Sequence, residues 1–448
     1  MKTGENLISE LLWKFSEKTI KKLKQYKKDG GLEKDLVTYE VGTVSKFEYK
    51  DGNISHTTGL SLENREILSW ANQFRYIDNE LKTLKEYSEI VNTLAEYYDE
   101  SSFWADFHLM QYTHDLVRKA VKKVSKESLH FGIVQFMRVL DKSPKRINIR
   151  AWVDGILIDA EEYVIHKNVK LRRLQKSDLE YENPLYPTTL HKKPPQATPA
   201  ILEMWTRSVE TREAQEELDL VLSILRLFRV GCVYSHHSIF AHESNVLGGT
   251  FTTGGKGRCS LRYNLCSHDV ERLSAFIDTM YSVTPSELKR VGSEDVAVTD
   301  IAFDRYNDGI LRAHPIEASI ASSIACIEAL LFHEDEQSEM ARTLAQRVAS
   351  LLQHFEQDPV QVYNKMKSAY DIRSRYVHGG LVKKERRQKL GDLRRSILNF
   401  ARICLVVCLQ IDNEKRKSMI SQLDNSLLSD KAKERVLQSI GNLVVPLS

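Results

Sequence analysis

The stretch Tyr370-Asp371-Ile372-Arg373-Ser374-Arg375-Tyr376-Val377-His378-Gly379-Gly380 decides how the C-terminal part of the chain is read. Val362, Met366, Ala369, Tyr370 and Val377 fall at helical spacing, and Gly379 is placed as the left-handed residue that ends that helix. Arg373 and His378 are five apart, about 140° round an ideal helix. They converge only if the helix ends between them or if a second copy of the chain completes the site. Arginine offers a permanent cation and a planar fork for phosphate oxygens. Histidine can shuttle a proton near neutral pH. Together they are what phosphodiester cleavage needs without a metal. The plainer reading is an arginine paired with a carboxylate and a histidine capping a helix C-terminus.

Working outward, Arg followed by His at this spacing is not specific by itself. It recurs at Arg229 to His236 and at Arg262 to His268. Only the third pair ends a long amphipathic pattern, has the polar Ser374 after the arginine, and sits in strongly basic sequence. Residues 316–360 hold eight acids and two bases, whereas 361–402 hold twelve bases and three acids, a local net of +9 against +3 for the whole chain. Any polyanion partner must therefore be met by local charge.

The 448 residues suggest about three domains at ~150 residues each. Hydrophobic residues at 42% and charged residues at 28% are ordinary globular composition and exclude wholesale disorder. The six cysteines are scattered and do not form a disulfide framework. Charged residues interrupt the first twenty positions, so no signal pattern is expected, and the apolar run near Ile403 to Leu409 falls short of the ~18 residues a membrane helix needs. A soluble cytoplasmic protein without membrane attachment is expected.

Residues 5–28 read as a basic amphipathic helix, stopped by Gly30-Gly31. Leu36 to Lys50 alternates up to Asp51-Gly52, a hairpin signal. Helical stretches follow near 76–98 and 104–124, then strand-like runs at 129–139, 146–152 and 156–166, with Asp154-Gly155 as a second hairpin turn. Pro184, Pro187, Pro194, Pro195 and Pro199 mark an extended linker. Beyond it come a strong helix over 213–230, a Gly-rich mobile loop over 244–258, and helices from about 312 to the end. The expected organisation is an α+β N-terminal domain (1–183), a Pro-rich linker (184–200), a central mixed region (201–310) and an all-α helical domain (311–448).

Three blocks carry a family resemblance: Ala325-Cys326-Ile327-Glu328-Ala329-Leu330-Leu331, then Leu344-Ala345-Gln346-Arg347-Val348-Ala349-Ser350-Leu351-Leu352, then the Tyr370 to Gly379 stretch. In this order they resemble the ApeA-like branch of the HEPN superfamily, over the last third of the chain. The resemblance implies a dimerising helical-bundle ribonuclease that cuts single-stranded RNA or tRNA loops without a metal or cofactor and leaves a 2′,3′-cyclic phosphate. It implies catalytic roles for Arg373 and His378, with Ser374 and Glu328 in support. It also implies a toxin or abortive-infection setting against phage, with a phage-derived trigger. Some HEPN domains lack nuclease activity, so a non-catalytic dimerising or RNA-binding module is the alternative.

Other motifs point elsewhere only faintly. Cys232, His236, His237, His242, Cys259, Cys266 and His268 contain no Cys-x2-Cys pair, so no metal site is expected. The Gly-rich loop has Thr250 where a Walker loop needs glycine. Arg375, Lys383, Lys384, Arg386 and Arg387 flank the Arg/His stretch and are expected to face RNA. Charge reversal at Arg386 and Arg387 should therefore weaken RNA binding across sequences and lower its salt slope by ~0.7 per lost contact, leaving the cut position unchanged. A drop in melting temperature with an unmoved salt slope would mean that the cluster holds the helices together instead.

Overall fold

The computed structural model describes residues 3–29, 35–50, 53–67, 76–122, 125–141, 145–175, 200–208, 211–242, 249–253, 261–286, 296–312, 315–333, 340–379, 389–426 and 429–446. The chain begins with α1 (Thr3–Lys28), a two-stranded antiparallel hairpin β1 (Asp35–Lys50) and β2 (Asn53–Ile67), and a short turn of helix at Ile77–Leu81. Helices α2 (Lys85–Tyr98), α3 (Ser102–Lys122) and α4 (Lys126–Leu140) follow. The hairpin pairs Lys50 with Asn53, as the Asp51-Gly52 signal requires.

The four N-terminal helices bury Ile8, Leu12, Phe15, Tyr87, Ile90, Leu94, Leu109 and Leu116 in a core of their own. The lysine face of α1 is turned partly to the chain's own carboxylates: Lys14 meets Glu10 at 2.7 Å, Lys22 meets Glu80 at 3.2 Å, and Lys18 pairs with Glu86. The strand expected at 129–139 is instead α4. Leu129, Ile133, Phe136 and Leu140 recur at three- and four-residue intervals and bury one stripe, and the Ser125 hydroxyl caps the start by accepting from Ser128 N at 3.1 Å.

A six-stranded antiparallel sheet occupies the middle of the chain in the order β5-β6-β7-β3-β8-β9. Its strands are β3 (Lys145–Asp154), β5 (Glu162–His166), β6 (Val169–Arg172), β7 (Ala200–Ser208), β8 (Tyr234–His242) and β9 (Gly249–Thr253). The Pro-rich stretch thus lies between β6 and β7, neighbours in one sheet; residues 176–199 lie outside the described residues. Part of the expected mobile loop is β9, paired to β8 from Ala241↔Gly249 to His237↔Thr253. The rest of that loop, 244–248 and 254–258, lies outside the described residues.

Asp154-Gly155 does not turn a hairpin. The short β4 (Ile156–Ile158) pairs in parallel with β10 (Tyr263–Leu265), because Gly155 takes φ +87° and swings the chain out of β3. A Cβ there would stand 2.2 Å from the carbonyl oxygen of Cys232, so only glycine fits.

Helix α5 (Thr211–Phe228) packs Ala214, Leu218, Val221, Leu222, Leu225 and Phe228 between the sheet and the helices that follow. These are α6 (Val270–Val283), α7 (Val298–Leu311), α8 (Ile316–Leu331), α9 (Met340–Leu352), α10 (Pro359–Val377), α11 (Leu390–Leu409), α12 (Asn413–Ser426) and α13 (Asp430–Ile440). Helix α8 packs on α7, α10 and α11, and α9 packs on α10. One hydrophobic core runs from Ile147 to Ile440, so sheet and helical bundle share their packing.

Buried arginines fasten that core. Arg402 of α11 is wholly enclosed and donates to the carbonyls of Leu227 and Phe228 at 3.0 and 3.1 Å, and to Pro446 O at 2.9 Å. Burial pulls its pKa down to about 10, which still leaves it cationic at neutral pH. Arg347 and Arg416 do the same for α8, donating to Leu331 O at 2.7 Å and Leu330 O at 2.9 Å. Each supplies donors where a helix C-terminus leaves carbonyls without intrahelical partners. Arg402→Met should cost about 3 kcal/mol or more in a denaturant titration, because buried acceptors left unpaired cost ~1–3 kcal/mol each. The exposed Lys367→Ala should stay within about 0.5 kcal/mol of the parent in the same titration.

Candidate functional site

Helix α10 carries the Arg/His stretch. Asp358 caps its start by accepting from Gln361 N at 2.8 Å, with Pro359 in the first turn. Val362, Met366, Ala369 and Ile372 form the buried stripe. The helix runs to Val377, and His378 is its C-cap, with its N–H donated to Ser374 O at 3.1 Å. Gly379 follows at φ +72°, the left-handed residue its position suggested. The helix therefore does not end between Arg373 and His378 until the residue just before the histidine.

Arg373 is half-buried and turns toward α8, where Nη2 donates to Glu328 Oε2 at 3.1 Å. Its guanidinium also lies over the Tyr370 ring, 5.4 Å from the centroid, an arrangement that attracts a cation to the aromatic face. The single hydrogen bond to Glu328 occupies one of five N–H donors. His378 is exposed at the helix end, beside Tyr376 and Val377, which are 40% and 60% exposed. Ser374 is half-buried and contributes its carbonyl to the cap. Arg375 pairs along its own helix with Asp371 at 3.0 Å, a partner on the same surface. Lys383, Lys384, Arg386 and Arg387 lie outside the described residues.

The basic run is not one surface. Arg394 and Arg402, two of its twelve bases, are buried fasteners. Arg394 donates to Ser319 Oγ and to Arg312 O, both at 2.8 Å, from inside the bundle. They do not belong to any electrostatic footprint for RNA.

The other two Arg-to-His matches fall on a different feature. Arg229 and Arg262 line a cleft between the end of α5, the β10 strand, α10 and α11. Among the described residues, neither arginine is paired with the histidine that follows it in the sequence pattern. Asp269 and Asp154, remote in sequence, are what they grip. Among the described residues, no group of three His, Cys, Asp or Glu side chains is placed to hold a metal ion. Cys232 is buried and Cys266 is half-buried at the turn before α6. No described helix is long and apolar enough to cross a membrane.

No protein-family model, curated protein or solved structure matches the chain.

Burial raises the Glu328 carboxyl above its ordinary value, against the opposing pull of Arg373 and the Tyr370 hydroxyl. The folded chain thus holds this proton more tightly than the unfolded chain does. Stability from this group is fully present below its unfolded pKa and is lost as pH rises through the folded one. Glu328→Gln removes that loss, so its melting temperature should gain on the parent as pH climbs from about 4 to 7. A melting-temperature difference that does not change with pH would contradict the assignment.

Proposed function

We propose that the chain is a HEPN-type, metal-independent endoribonuclease that acts in antiviral defence or growth arrest. The observation that carries this reading is the Glu328–Arg373 contact. It joins the first and third of the resembling blocks, which lie on α8 and α10 and are far apart in sequence. The second block lies on α9, which packs against α10. Three blocks chosen from sequence alone thus fall on helices in mutual contact, and the polar residue of one orients the cation of another.

In this reading Arg373 presents its remaining N–H donors to the scissile phosphate and to the charge that develops on it. His378 removes the proton of the 2′-hydroxyl, or returns one to the departing 5′-oxygen. The 2′-oxygen forms a bond to phosphorus as the bond to the 5′-oxygen breaks, which leaves a 2′,3′-cyclic phosphate. Base and acid are both needed, and the helix separates Arg373 from His378. The proposed working unit is therefore a homodimer in which two helix ends share a cleft. The exposed Tyr376 and Val377 beside His378 supply apolar surface for that contact. Arg375, with Lys383, Lys384, Arg386 and Arg387, would track the RNA backbone. A cytoplasmic setting and a phage-derived trigger complete the proposal.

A second reading, a non-catalytic HEPN module for dimerisation or RNA binding, is favoured by one observation: Arg373 already has a carboxylate partner. Incubating the purified chain with total RNA in chelator separates the two. Cleavage should persist without metal, and His378→Ala or Arg373→Ala should lower it by about 10²-fold or more while the protein stays folded. Both variants should also relieve growth arrest in cells. Unchanged cleavage in both would overturn the catalytic reading, and metal-dependent cleavage would redirect it.

A further inference from the structure

The cleft that holds Arg229 and Arg262 has a construction that the ribonuclease reading does not use. It is an open cleft of about 470 Å³ where β10 and the bundle meet, within the size range of small-molecule sites. Its two arginines are held from behind. Arg229 grips the fully buried Asp269 through Nη1 and Nη2 at 2.8 and 2.7 Å, and also donates to Asn264 O at 3.1 Å. Arg262 grips the nearly buried Asp154 through Nε and Nη2 at 3.0 and 3.2 Å. Forked pairing of this kind fixes the plane of each guanidinium. Among the described residues it also leaves N–H donors over: Nε and one Nη2 proton of Arg229, and both Nη1 protons and one Nη2 proton of Arg262.

Two further cations complete the lining, Lys365 of α10 and Arg395 of α11. Among the described residues neither forms an ion pair, whereas Asp154 and Asp269 are each committed to an arginine. The cleft therefore carries an excess of positive charge on a fixed frame. Its neutral polar groups add donors as well. The Asn399 side-chain oxygen is taken by Arg402 at 2.9 and 3.1 Å, so its amide N–H groups are what it can offer the cleft. Tyr263 and Phe400, both largely buried, complete the lining.

We propose that this cleft binds a small phosphorylated ligand of nucleotide size. Oriented guanidinium groups match phosphate oxygens, Lys365 and Arg395 neutralise further phosphate charge, and the Asn399 amide donors suit a base or sugar. The cleft volume is of the size that a free nucleotide needs. The proposal is independent of the ribonuclease reading, although Lys365 lies eight residues before Arg373 on one helix, about 12 Å along its axis. A ligand there would tie α10 to α11 and to β10.

Calorimetric titration of the full chain in chelator, with pyrophosphate, ATP and adenosine as probes, tests this directly. Pyrophosphate and ATP should bind saturably and raise the melting temperature, and adenosine should do neither. The double variant Lys365→Ala, Arg395→Ala should weaken ATP binding by about tenfold or more. Arg395→Lys should keep most of the affinity, and His378→Ala should bind as the parent does even if it loses cleavage. Arg395 is exposed and Lys365 half-exposed, so ligand-free melting temperatures of these variants should match the parent. Absence of saturable binding at millimolar pyrophosphate and ATP would overturn the proposal, as would ATP binding unmoved by the double variant. A 5′-phosphorylated oligoribonucleotide that binds more tightly than ATP, through Lys365 and Arg395, would overturn it in favour of an RNA subsite.

Discussion

The Arg402 guanidinium is the contact on which the arrangement of sheet and bundle rests. It extends from α11 into the end of α5 and also holds the carbonyl of Pro446, so three segments spread over more than two hundred residues of chain, from Leu227 to Pro446, meet at one cation. Helix α5 lies on the sheet, and α11 lies in the middle of the bundle. A helix end buried in this way leaves carbonyls that neither water nor the helix can satisfy. A buried arginine with five donors answers several of them at once and complements the negative end of the helix dipole. Arg226 repeats the device beside it, donating to Val233 O at 2.7 Å and to Ser223 Oγ, while the Tyr306 hydroxyl donates to Arg226 O at 2.8 Å.

The same chemistry serves different ends along the chain according to burial. Arg394 and Arg402 are enclosed and do structural work, whereas Arg373 is half-buried and keeps donors to spare beside Glu328. Arg229 and Arg262 stand between these cases, fixed by carboxylates behind them yet lining an open cleft. Net charge over a sequence window does not distinguish these roles, because a buried guanidinium and an exposed one count alike. The basic run of 361–402 is therefore a mixture of fasteners, a helix-surface pair at Arg375 and Asp371, and cleft cations.

The placement of the Arg/His stretch follows from the end of α10. Capping by His378 and Gly379 exposes the histidine where the chain leaves the helix, while the preceding turn sends Arg373 inward to α8. That split explains why one protomer presents the two groups in different directions. It also gives physical content to the proposed dimer: a second helix end with exposed Tyr376 and Val377 would bring a second proton shuttle to the same phosphate.

Much of this was legible in the residues. Periodicity placed α5, α10 and the helices after 312, alternation to Asp51-Gly52 placed the first hairpin, and Gly379 marked the end of α10, because each is a local consequence of backbone sterics and a single apolar stripe. The run at 129–139 was misread as a strand because a short apolar segment fits both periods, and only packing against α1 decides between them. Asp154-Gly155 looked like a hairpin turn because the dipeptide is the same; the close carbonyl of Cys232, supplied by another part of the fold, sends the chain to β10 instead. Sequence alone thus determined the helices with one long apolar stripe and the first turn. Tertiary structure alone decided which arginines are enclosed and which remain available, because burial and carboxylate partners come from segments distant along the chain.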